Sequence, residues 1–413
     1  MTPQTETASV GQSSAAHGGK ISHGGTSLDG SAQIADRSYR GYDGELHTRA
    51  HRWWFVALAT IRAGMANKAF WILAALVALA YIVSGAFVYY ARDAVLRMGG
   101  GLFSAPEAIY SDTFFRCLNF TRLPLFLLAL VVGAGSIAAD NRANALLVYL
   151  SKPITKTDYL LGKWAGVFLL LGAVSLLPAL LLYGFFVASY NSEGFLKENP
   201  GLWAGVIGAT LLPALIHSSL IIGFSAWSKS PRMAGASYAG LYFMSAVIMG
   251  IASGIMIDKL ARPNNPERSA TTRNAARRDA KGAKSDAAKA APEKAAPIKD
   301  SDVQRALLVR GLSVAGVIES VGMHLYHAEP SLPRRLRNRL QEERQSQTEA
   351  DMAAAMGALG PMGAMQGLAQ TAQKPPSVGR APLAPLLALA ALFFVLPLLA
   401  ARARIRAVEV VSG

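Results

Sequence analysis

The chain has 413 residues, 52% of them hydrophobic, with a formal net charge of +15 and a single cysteine. The apolar residues are gathered into long runs, which excludes an ordinary soluble globule, and the lone Cys117 excludes an intramolecular disulfide and any multi-cysteine metal site. Much of the positive charge lies in short stretches beside the apolar runs, a distribution that fits membrane orientation and not nucleic-acid binding.

Residues 1–48 mix Ser, Gly, Thr and His with charge and lack the basic-then-apolar order of a signal peptide. They read as a disordered cytoplasmic tail. The next block, 49–257, begins with Trp54, Leu58, Ile61 and Met65 at helical spacing, with Trp53 and Trp54 as aromatic anchors. This pattern predicts an interfacial helix lying at the headgroup level.

Six apolar runs follow, at 69–90, 123–139, 164–190, 202–227, 233–257 and 382–400. Each is close to the roughly 17–25 residues a helix needs to cross about 30 Å of hydrocarbon. None carries Asp, Glu, Lys or Arg, groups that are costly at the bilayer centre. Arg49, Arg52, Arg62 and Lys68 precede the first run, Arg142, Lys152, Lys156 and Lys163 separate the second from the third, and Lys229 and Arg232 separate the fourth from the fifth. Arg402, Arg404 and Arg406 follow the sixth, while the opposite short loops are poorer in Lys and Arg. The bias predicts that both termini are cytoplasmic.

The loop 91–122 is then external, with Phe103, Tyr110, Phe114 and Phe115 available to dip into the interface. Parity also places the insertion 258–380 outside. Its first part, 262–297, is Ala, Lys, Arg, Asp and Pro without apolar periodicity and reads as a solvated linker. Val303, Leu307, Leu312, Val317 and Val321 predict one or two amphipathic helices over about 303–326. Arg310 and Glu319 within it argue for an interfacial or re-entrant helix and against a seventh span. Residues 381–413 supply the sixth span and a cytoplasmic tail.

No phosphate-binding loop is present: Gly19-Lys20 and Gly162-Lys163 are followed by Ile21 and Trp164, without the upstream glycine spacing. The chain is therefore expected to be no enzyme, with no catalytic, cofactor or metal site of its own. His217, Ser218 and Ser219 lie in the fourth run after Pro213. They fit either an ordinary interhelical hydrogen bond or the lining of a translocation path. Gly250 and Gly254 form a small-xxx-small pair suited to close helix packing or a subunit contact. Met323, His324 and His327 are soft-ligand residues near one another, for which packing is preferred over copper ligation.

The stretch from Asp140 to Lys163 combines an acidic residue just after a span, a Leu-rich segment at 143–150, the Pro153-Ile154 turn with hydroxyl and basic residues, and Leu161-Gly162-Lys163 leading into the next span. It resembles the cytoplasmic loop of ABC-2 type permeases. The resemblance implies an all-α membrane protein with six spans, an N-terminal elbow helix, a cytoplasmic coupling helix and, here, a long extracytoplasmic insertion. It also implies that Asp140, Arg142, Leu146, Leu147, Lys152, Pro153 and Lys156 meet a separate ABC ATP-binding subunit in two copies, where ATP and Mg are bound. A second permease copy in a homodimer or heterodimer, export as the direction, and residence in a bacterial inner membrane follow from the same resemblance. A secondary transporter or channel would carry intramembrane charges that these runs lack. A membrane scaffold whose outer loop recruits a partner is the remaining alternative.

Overall fold

A computed structural model describes residues 52–97, 109–143, 155–261, 298–343, 345–347, 349–350, 353–354 and 379–405, all within the compact unit Ala50–Gly413. The helices are α1 (Arg52–Met65), α2 (Lys68–Arg97), α3 (Ile109–Gly133), α4 (Ala138–Arg142), α5 (Lys156–Tyr190), α6 (Leu202–Trp227), α7 (Pro231–Ala261), α8 (Asp300–Gly311), α9 (Val314–Leu325) and α10 (Leu383–Arg404). Six helical stretches are long and apolar enough to cross a membrane: Lys68–Tyr90, Ile109–Arg142, Lys156–Tyr190, Leu202–Trp227, Pro231–Ala261 and Leu383–Arg404. No strand occurs among the described residues.

The hub is α6, which packs against α3, α5, α7, α9 and α10. Its apolar window is 72% buried, against 17% for the span in α7 and 11% for that in α10. The outer helices thus turn large apolar faces away from the chain, as a bilayer or a second subunit permits. Close approach to α6 is made possible by absent side chains. A Cβ on Gly223 would lie 2.6 Å from Pro397 of α10, and one on Gly205 would lie 2.7 Å from the Leu325 carbonyl of α9. Between α5 and α6, the Ser175 hydroxyl reaches the Thr210 carbonyl at 3.0 Å.

The second span starts earlier than its apolar run. Helix α3 begins at Ile109, because Tyr110 and Phe114 are core residues, packed on Phe186 and, in turn, on Phe195 and Tyr326. These two aromatics do not dip into the interface as expected, and Phe103 lies outside the described residues. Starting at Ile109 brings Arg122 into the span. Its guanidinium meets Glu319 of α9 at 2.8 Å, and Arg310 of α8 meets the other carboxylate oxygen at 3.0 Å.

The described part of the insertion is folded onto the bundle. Helix α8 lies against α7, and α9 is wedged among α3, α6, α7 and α10. Twelve residues of α9 rise only about 18 Å, too little to span a bilayer. Its residues from Val317 through Met323 are all buried. Of the one or two amphipathic helices expected over 303–326 there are two, separated at Leu312 and Ser313, with Ser313 capping α9 by accepting from the Gly316 N–H at 2.9 Å. Residues 334–343 form a further helix whose Leu336 and Leu340 are buried, and whose Arg339 donates to the Leu260 carbonyl at the end of α7.

Candidate functional site

At the end of the bundle opposite α9, three spans are joined around the segment 144–154. Leu146, Leu147, Lys152 and Pro153 belong to that segment and lie outside the described residues, but its two anchor points are defined. On one side, the Asp140 carboxylate accepts from the Tyr159 hydroxyl at 2.6 Å and pairs with Lys163 at 2.8 Å. The same Lys163 ammonium stands 5.6 Å from the Tyr159 ring centroid. This ties the end of the second span to the start of the third, since Asp140 is on α4 and both partners are on the first turns of α5. On the other side, Thr155 begins α5 with a capping box: its hydroxyl accepts from the Asp158 N–H at 3.1 Å, and the Asp158 carboxylate accepts from the Thr155 N–H at 3.2 Å. Arg142 is exposed, and Lys156 is half-buried at the first position of α5.

The approach to Asp140 is a break between α3 and α4, and α6 holds it. Residues 134–137 leave the helical ladder. The Ile137 and Ala138 N–H groups donate instead to the Ser225 hydroxyl at 3.0 and 2.9 Å, and Ser225 donates to the Ala134 carbonyl at 2.9 Å. One buried hydroxyl thus satisfies three backbone groups that the break would leave bare. Gly133, directly before the break, sits against Ile221 of the same helix. The sequence gives Ser225 no distinguishing mark from Ser218 or Ser219.

Helix α1 lies along the first turns of α5. It buries Val56, Ala57, Thr60 and Gly64 and leaves Trp54, Phe55 and Met65 exposed. A Cβ on Gly162 would stand 2.5 Å from the Trp53 carbonyl, and one on Gly166 would stand 2.8 Å from that of Ala57. Of the stripe Trp54, Leu58, Ile61 and Met65 read from the sequence, Trp54 and Met65 are turned away from the protein, while Leu58 and Ile61 are half-buried and Ile61 packs against the core.

His217, Ser218 and Ser219 are fully buried in α6. His217 Nδ1 meets the Tyr238 hydroxyl of α7 at 2.5 Å, with the Phe126 and Tyr242 rings beside it. Its Nε2 is buried without a partner among the described residues. Ser218 bonds the Leu215 carbonyl of its own helix, and Ser219 does the same while accepting from the Trp164 indole at 3.0 Å. Around Gly250 and Gly254 of α7, no described residue beyond the glycine's chain neighbours and the local helix backbone comes within 4 Å of a built Cβ. His324 bonds the Ser320 carbonyl of its own helix at 2.9 Å. No group of three or more His, Cys, Asp or Glu side chains suited to a metal occurs among the described residues.

The family model described as ABC-2 family transporter protein matches residues 54–324, which run from α1 through α9 and take in the whole joint around Asp140. No curated protein matches the chain.

Proposed function

This chain belongs to the ABC-2 transporter family, a family of multi-pass membrane transport components, and we propose that it is the permease subunit of an ATP-driven exporter. In this reading the joint around Asp140 faces the cytoplasm and receives a separate ATP-binding subunit, present in two copies and carrying ATP and Mg. The segment 144–154 would act as the coupling helix, with Asp140, Arg142, Leu146, Leu147, Lys152, Pro153 and Lys156 as its contact and framing residues, and α1 would be the elbow helix. Both termini would be cytoplasmic in a bacterial inner membrane, and α9 would close the opposite mouth of the bundle.

The observation that supports this best is the rigidity of the frame. Motion of a soluble ATPase reaches a membrane domain only through elements packed against it. The segment 144–154 leaves one span at a carboxylate fixed by Tyr159 and Lys163, and enters the next at a capping box. A push on such a segment is delivered to the second and third spans together. His217 would line the path once α6 and α7 part, when its unpartnered Nε2 meets substrate or water. The exposed faces of α7 and α10 leave room for a second permease copy, with Gly250 and Gly254 able to admit a close helix.

The test is co-purification of the tagged chain in detergent, wild type beside Leu147→Asp with Pro153→Ala. An ATP-binding cassette subunit recovered in stoichiometric amount with the wild type, together with ATPase activity, and lost from the variant is the expected result. A wild-type chain that purifies alone from its native membrane, without ATPase activity, overturns the proposal.

A further inference from the structure

Beside the Asp140 joint is a hollow of about 490 Å³, of whose lining the coupling reading uses only Arg142. Its lining carries Arg142 at the end of α4, Lys229 in the α6–α7 turn and Arg404 at the end of α10, beside the apolar Ala226, Trp227 and Ile405 and the polar Asn141 and Ser228. All three cations are exposed, and none makes an ion pair with a described residue. Asp140, two residues before Arg142, is engaged by Tyr159 and Lys163 and does not line the hollow.

Basic residues at helix ends also answer the helix dipole, so that ordinary explanation has to be weighed. A helix C-terminus carries about −0.5 of a charge. The ends of α4, α6 and α10 therefore offset about −1.5 of the +3 in the lining, and an uncompensated excess of about +1.5 remains. The position of the hollow points to what meets that charge. Residues 142, 227 and 404 are the last residues of three membrane spans, so the hollow lies at the level where hydrocarbon gives way to headgroups. Trp227 is 62% exposed and fixed by its indole N–H, which donates to the Ala400 carbonyl at 3.2 Å. An amphipathic ring at a span end beside apolar side chains is an interfacial arrangement. Basic pockets between span ends are where anionic headgroups bind.

We infer that this hollow binds the phosphate of an anionic phospholipid from the surrounding leaflet, with the glycerol and upper chains resting on Trp227, Ala226 and Ile405. The inference rests on the membrane placement of the six spans and shares only Arg142 with the coupling proposal, which is why the variants tested leave Arg142 in place. A protein surface would meet cations that project clear of the membrane; these three share a hollow with the apolar Ala226, Trp227 and Ile405 at the ends of three spans.

The experiment uses the full chain in a neutral detergent, titrated with short-chain phosphatidylglycerol, short-chain phosphatidylcholine, glycerol 3-phosphate and inorganic phosphate. Native mass spectrometry counts bound lipid. The variant Lys229→Gln with Arg404→Gln leaves Arg142 in place; both altered side chains are exposed, and Lys229→Arg with Arg404→Lys is its charge-preserving partner. A cation near an anionic membrane surface is worth about a factor of five in affinity, so the double variant should bind phosphatidylglycerol about 25-fold more weakly. The charge-preserving variant should retain binding, and phosphatidylcholine should bind no better to the wild type than to the double variant. Phosphatidylglycerol binding unchanged in the double variant overturns the inference. So does equal binding of inorganic phosphate or glycerol 3-phosphate, which would assign a soluble phosphate. Loss of a co-purified ATPase with lipid binding intact would assign the hollow to a protein contact and also overturn it. Lys229→Gln alone, expected to lose about fivefold, decides the matter if the double variant is poorly folded.

Discussion

Replacing Ser225 by Ala should loosen the joint that carries Asp140. The hydroxyl accepts from two buried N–H groups and donates to one carbonyl, all across the α6 to α3–α4 contact. Three interhelical bonds at about 0.6 kcal/mol each give about 2 kcal/mol. Leaving the Ile137 and Ala138 N–H groups without an acceptor adds about 1 kcal/mol apiece, so the expected loss is about 4 kcal/mol. The chain supplies its own reporter, because its one cysteine, Cys117, is buried in α3. A fluorogenic maleimide reacts with it only on unfolding, and the midpoint should fall by roughly 5–10 °C. Ser218→Ala is the matched control: the side chain is equally buried in the same helix, but it bonds only its own helix, at Leu215. That variant should shift by less than about 0.5 kcal/mol. Equal midpoints for Ser225→Ala and wild type, or equal shifts for the two serine variants, would refute the assignment of the joint to Ser225.

Three other substitutions test the remaining contacts. Glu319→Gln leaves Arg122 and Arg310 facing a neutral amide; the loss should be about 3 kcal/mol, the low end for a broken buried pair because the Arg310 side chain is 41% exposed. Adding Arg310→Gln should restore part of the cysteine-protection midpoint, and no change in the single variant would count against the triad. Asp140→Asn keeps an acceptor for Tyr159 and loses the Lys163 pair at a cost of about 1 kcal/mol. Asp140→Ala should cost more, because the hydroxyl of the buried Tyr159 loses that acceptor, and the reverse order of melting midpoints would contradict this account. Gly166→Val forces a side chain against Ala57 and Thr60 and should cost about 1–3 kcal/mol, releasing α1 to limited proteolysis. Gly184→Val on the same helix, where a Cβ meets nothing within 4 Å, should leave α1 as protected as in the wild type.

The spans were legible because hydrocarbon demands an unbroken apolar surface, and each of the six runs lies in one spanning stretch, the second interrupted at residues 134–137 between α3 and α4. What the runs missed is where charge is neutralised by a partner distant in sequence. Arg122 and Glu319, 197 residues apart, cancel each other, and this lets α3 begin at Ile109 and lets α9 enter the bundle. Hydropathy reads residues singly and cannot see such a pair. The start of α5 had a local signal: Thr155 followed three residues later by Asp158 is a capping box, and it places the helix start ahead of the apolar run at 164. Ser225 had none, because its partners lie 87 and 88 residues away and its neighbours include other buried serines. In α1 the helical spacing was correct, but small residues on the opposite face decided which side meets protein, since α5 offers glycines there.

The two ends of the molecule meet through one helix. Near its Trp227 end, α6 holds the α3–α4 break through Ser225; near its Leu202 end, Gly205 presses against the Leu325 carbonyl of α9. Its 26 residues span about 39 Å, the thickness of the hydrocarbon and part of each headgroup layer. A helix buried on most sides cannot slide without moving its neighbours, because packed cores have discrete arrangements and are not continuously deformable. A displacement at the Asp140 joint therefore has two outlets. It bends α6 at Pro213, where one helical hydrogen bond is already missing, or it shifts the contact with α9. His217 stands just beyond that proline with a buried nitrogen unpartnered among the described residues, so bending there costs least beside the one polar group that gains from it. The Arg122–Glu319–Arg310 triad resists the second outlet by fixing α9 to α3 and α8. In the proposed transporter, these contacts would direct motion from the joint into the middle of the bundle before it reaches the far mouth.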